Sequence, residues 1–146
     1  MKKPKKFLII NDEYSAKYVG KTNDGRQFFL TTPFLPDIDG YGREFIALYV
    51  FDKSGTLIES EIIDIDQRGK TNEKTILDII NNLIIKLGKI KYTSIKIEPF
   101  EIIYEGIKFG MILNDPEDPE DEYVIIAEPG NYMAFNEPWD SGEYDT

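Results

Sequence analysis

The stretch "TNEKTILDIINNLIIKLG", Thr71–Gly88, decides the fold. Ile76, Ile79, Ile80, Leu83, Ile84 and Leu87 recur at spacings of three and four, the period of an amphipathic α-helix. Thr71 or Asn72 can cap its start by accepting a hydrogen bond from a free backbone N–H. Glu73 stands near the positive end of the helix dipole and Lys86 near the negative end. Gly88 suits the position after the C-cap, where the backbone turns left-handed. The spacing predicts one helix over residues 73–87, with an apolar stripe wide enough to need a sheet beneath it.

The segments on either side read as strands. Tyr14–Gly20 and "QFFLTT" (Gln27–Thr32) flank "KTNDGR", where Asn23-Asp24-Gly25 tolerate positive φ. "TPFLPDIDGYG" (Thr32–Gly42) is a Pro- and Gly-rich loop. "EFIALYVF" (Glu44–Phe51) is apolar on both faces, the mark of a strand covered on both sides. After a "DKSG" turn, "TLIESEII" (Thr56–Ile63) returns half exposed. Beyond the helix, Ile95 and Ile97 alternate with Lys96 and Glu98, and "EIIY" (Glu101–Tyr104) continues past a bend at Pro99. "IKFGMIL", "YVIIAE" and "NYMAF" complete the set, with a charged Pro-rich loop at Asn114–Glu122 and a turn at Pro129-Gly130. The expected fold is α+β: a mostly antiparallel curved sheet of about eight strands, covered by the one helix. The length of 146 residues fits a single domain. Residues 1–6 are expected to be a flexible basic N-terminus, and 136–146 an ordered aromatic–acidic tail.

Composition excludes much chemistry. The chain has no Cys and no His. Thiol nucleophiles, imidazole acid–base catalysis, a Ser–His–Asp triad and the usual zinc ligands are therefore ruled out. The apolar run Phe7–Ile10 is shorter than the roughly 7–15 residues of a signal-peptide core. No run approaches the ~20 apolar residues of a membrane span. The expected location is the cytoplasm, with no membrane partner. The net charge of −10 is unevenly placed: residues 109–146 contain 11 acidic residues and no Lys or Arg. That end repels phosphates, so no nucleic-acid role is expected. Lys2, Lys3, Lys5 and Lys6 read as a solvated tail.

Three groups of residues are candidates for a site. The closing stretch "PGNYMAFNEPWDSGEYDT" holds Tyr132, Trp139 and Tyr144 among Asp140, Glu143 and Asp145. Its rings either cover the core or form a pocket wall whose acids accept from a cationic or hydroxyl-rich ligand. Arg26, near Thr31 and Thr32, pairs with a carboxylate, binds ligand or stays in solvent; a tail carboxylate would pin the tail down. Arg43 reads the same way. Asp64 and Asp66 share a face if their strand persists. With Asp37, Asp39 and the acids of 114–122 they offer oxygen ligands for Ca²⁺ or Mg²⁺, but none completes a calcium-loop pattern. "GYG" at 40–42 precedes a strand and lacks the Lys-Ser/Thr of a phosphate loop. No cofactor is expected.

"GRQFFLTTPF" (Gly25–Phe34), "EFIALYVFD" and "PWDSGEYDT" at the C-terminus resemble a small uncharacterised bacterial protein family. The resemblance implies a compact bacterial cytosolic domain with an ordered C-terminus and transfers no activity. The sequence supports a binding module whose partner is a basic protein or a small polar ligand. It leaves open a carboxylate-dependent, divalent-metal-assisted enzyme and an oligomer-forming structural protein.

Overall fold

Strand β5, Arg43–Phe51, is buried at every position from Phe45 onward. Successive side chains of a strand point to opposite faces, so such a strand needs a cover on each side. The computed structural model, which describes residues 3–36, 42–67 and 69–146, supplies two covers. On one side Ile46, Leu48 and Val50 join Phe28 and Leu30 beneath Ile80, Leu83 and Leu87 of the helix region. On the other side Ala47, Tyr49 and Phe51 join Phe29 against Met111, Ile125, Ala127 and Phe135.

The middle layer is a six-stranded antiparallel sheet. β5 pairs with β6 (Leu57–Gln67) along one edge. Its other edge takes β3 (Gln27–Thr31) and the two-residue β4 (Phe34–Leu35). β2 (Tyr18–Thr22) pairs with β3 and with β7 (Ile90–Tyr92). The second sheet contains β9 (Phe100–Tyr104), β10 (Ile107–Asn114), β11 (Val124–Glu128) and β12 (Ala134–Phe135), neighbours in that order. A third ladder joins β1 (Phe7–Ile9) to β8 (Ile95–Ile97). Helix α1, Glu73–Lys86, is capped by Asn72, whose side chain accepts from the Thr75 N–H at 2.8 Å. Leu87 forms the C-cap and Gly88, at φ 81°, takes the left-handed position after it. No helix among the described residues is long and apolar enough to cross a membrane.

The mixed helix-and-sheet class holds, but the expected single curved sheet of about eight strands does not. Among the described residues, twelve strands form three antiparallel sheets. Two physical features account for the difference. β5 cannot bury both faces under one helix, so a second sheet must close the far side. Pro99 is not a bend within one strand: β8 ends at Ile97 and pairs with β1, while β9 begins at Phe100 in another sheet. The first long strand also starts at Tyr18, not Tyr14, because residues 11–17 are held in a loop by their own side chains.

Candidate functional site

The C-terminal segment leaves β12 and comes back to it. The Ala134 N–H donates to the Asp145 carbonyl at 2.9 Å, and the Asp145 N–H returns the bond at 2.9 Å. Between these points the Trp139 carbonyl accepts from the Leu8 N–H at 2.8 Å, which ties the segment to β1. Gly142 is buried at φ 75°, and a Cβ there would stand 2.3 Å from Cγ1 of Ile10. Only glycine meets both demands. The Phe135 ring lies 5.0 Å from Phe7 and 5.6 Å from Tyr144, centroid to centroid. Tyr132, Trp139 and Tyr144 all pack against the core between the sheets.

The loop before β2 forms the opposite wall. Asn11 Nδ2 donates to the carbonyls of Ala16 and Lys17 at 3.0 and 2.8 Å. Asp12 Oδ1 accepts from the Tyr14 N–H at 2.8 Å and the Ala16 N–H at 3.3 Å, an Asx-type turn. The Tyr144 hydroxyl donates to Asp12 Oδ2 and so joins the two walls. Partial burial opposes ionisation of Asp12, but the bonds from Tyr144, Tyr14 and Ala16 outweigh it and hold the carboxyl below its ordinary value. Burial first, and then the Asp12 hydrogen bond, push the Tyr144 phenol up to about 12.

A groove of about 830 Å³ opens between these walls. Asp12, Glu137, Glu143 and Asp145 line it together with Tyr14 and Tyr144, and among the described residues no Lys or Arg does. Tyr14 is 88% exposed at its mouth. The arrangement can accept hydrogen bonds from a cation and offer it an aromatic face.

The structure divides the residues that the sequence singled out. Tyr144 and Asp145 line this groove. Trp139 and Asp140 line a neighbouring one of about 700 Å³, where Lys6 and Lys96 face Glu122. Glu137 and Pro138 border both. Tyr132 lines a third cavity. Arg26 does not pin the tail: its Nε donates to Asp24 at 3.0 and 3.1 Å within its own turn. The Thr22 hydroxyl and then Arg26 lower the Asp24 carboxyl to about 2. Arg43 Nη2 reaches Asp64 Oδ2 across β5 and β6 at 2.7 Å, and is likewise no part of the groove. β6 persists through Asp64 and Asp66, and both act on the Arg43 guanidinium, but the regular alternation that would put them on one face is broken between them. Asp66 sits at φ 77°, where a register irregularity ends the period of two. Asp37, Asp39 and the start of "GYG" lie outside the described residues. Among the described residues, no three acidic side chains are grouped to hold a metal ion.

Sequence reasoning missed Asp12 and Tyr14. The Asx-turn potential of "NDEYS" was readable, but its role was not, because Asp12 and Tyr144 are 132 residues apart in the chain. No protein-family model, curated protein or solved structure matches this chain.

Proposed function

We propose that the protein is a binding module whose C-terminal groove takes a cationic group, presented by a basic protein partner or carried by a small polar ligand. One observation supports this above the others: four carboxylates and two phenol rings line a single concavity in which none of the described residues is basic. A guanidinium or ammonium would donate to Glu137, Glu143 and Asp145, and Tyr14 would lie against it. Asp12 and Tyr144 serve mainly to hold the walls together, since each already bonds the other. The excess of acids in residues 109–146 draws a basic partner toward this end and speeds the encounter at low salt.

Calorimetry with a tetra-arginine peptide tests the reading. Binding is expected to weaken as salt is raised. At roughly 0.5 kcal/mol for each exposed ion pair, the double variant Glu143→Gln/Asp145→Asn should bind about fivefold more weakly. Equal affinity in the variant would rule out the groove as the site.

A further inference from the structure

On the far side of Tyr14 and Ser15 from the acidic groove lies a smaller cavity of about 390 Å³. It sits where β3 runs on past the start of β2, since Tyr18 pairs with Leu30 and leaves Thr31 beyond the ladder. Gly130 fixes its wall: a Cβ there would stand 2.2 Å from the Phe34 carbonyl oxygen, so the turn before β12 rests directly on the β4 backbone. The volume falls within the roughly 300–1,000 Å³ of small-molecule sites.

The lining is chemically unlike that of the groove next door. None of the described residues that line the cavity is Asp, Glu, Asn or Gln. The polar side chains of its lining bring hydroxyls, from Tyr14, Ser15, Tyr18, Thr31 and Thr32, and the ammonium of Lys17. Its apolar surface comes from Leu30 and from the rings of Tyr14, Tyr18, Phe34 and Tyr132. The Tyr132 hydroxyl is buried below this lining, beside Thr31, so Tyr132 offers the cavity its ring and not its oxygen. Lys17 Nζ stands 5.5 Å from the centroid of the Tyr18 ring, and pairs with no carboxylate among the described residues. Its main chain is fixed by Asn11, which donates to the Lys17 carbonyl.

We propose that this cavity is a second binding site, for a small monoanion with a planar apolar body, an aromatic carboxylate by chemical class. The hydroxyls and the ammonium donate to the carboxylate, and none of the described residues in the lining is acidic. The rings enclose the planar body. A sugar fits the lining less well, because its hydroxyls would need strong acceptors and the side chains offer only other hydroxyls. A multiply charged anion is disfavoured by the net charge of −10 and by the acidic groove that shares Tyr14 and Ser15.

Amide NMR titration of the full chain with benzoate, with benzamide as the neutral isostere and glucose as the polyol, tests the proposal. Benzoate is expected to give saturable shifts at Ser15, Thr31, Thr32 and Gly130–Tyr132, and benzamide and glucose to give none at matched concentration. Lys17→Met, at an exposed position, should weaken benzoate about tenfold, as expected for losing a hydrogen bond to a charged group. Equal binding of benzamide, preferential binding of glucose, shifts confined to Glu143–Thr146, or no saturable shift with benzoate would each overturn it.

Discussion

Gly142 shows how one backbone position holds the C-terminal segment in place. Its φ of 75° suits glycine, and Ile10 occupies the space a methyl group would need. Gly142→Ala is expected to cost about 1–3 kcal/mol, read as a lower urea midpoint with an unchanged slope. Tyr144 adds a pH signature. Unfolded, its phenol loses a proton near 10, whereas in the fold it holds the proton to about 12. Its contribution to stability is therefore complete below pH 10 and is lost as pH rises through 12. Tyr144→Phe should flatten the decline in urea midpoint between about pH 10 and 12. Asp12 has the opposite sign: its carboxyl is lowered, so its contribution holds above its unfolded value of 3.8 and fades as pH falls below it. At this scale the sequence announced Tyr144 and Asp145 through their composition. Asp12 and Tyr14 look ordinary until the fold brings the N-terminal loop against the tail.

At the scale of elements, legibility followed periodicity. Helix α1 could be read to within one residue, because its apolar spacing, Asn72 cap and Gly88 stop all agree. Leu83 is 2% exposed and Ile85 73% exposed on the same helix. Leu83→Ala should cost about 2–5 kcal/mol and Ile85→Ala within about 0.5 kcal/mol of nothing, compared by chemical denaturation. β5 was equally plain, since a run apolar on both faces demands two covers. β8 showed itself in the alternation of Ile95 and Ile97 with Lys96, but β1 did not, at three residues: so short a segment shows no period and is defined only by its partner. The switch of sheets at Pro99 was hidden for a related reason. A proline marks a break in a ladder but does not say which sheet the chain joins next.

Across the whole molecule, the segment after β12 closes the gap between the four-stranded sheet and the β1–β8 ladder. It does so through Trp139 to Leu8, Asp145 to Ala134, and the edge-on and tilted ring contacts of Phe135 with Phe7 and Tyr144. Removing residues 136–146 should uncover Phe7 and Phe135 and lower the melting temperature, as well as abolish the acidic groove. The groove belongs to this closure, which is why composition could point to the tail but not to its opposite wall. The exposed acids of residues 115–122 serve as an internal control, because they share the groove's sign of charge but not its shape. The most direct test is an amide NMR map of the full chain titrated with arginine methyl ester. Saturable shifts concentrated at Asp12, Tyr14 and Ser141–Thr146, with residues 115–122 unmoved, are the expected result. Shifts that follow the acidic loop as strongly as the groove, or that never saturate, would contradict a built cation site.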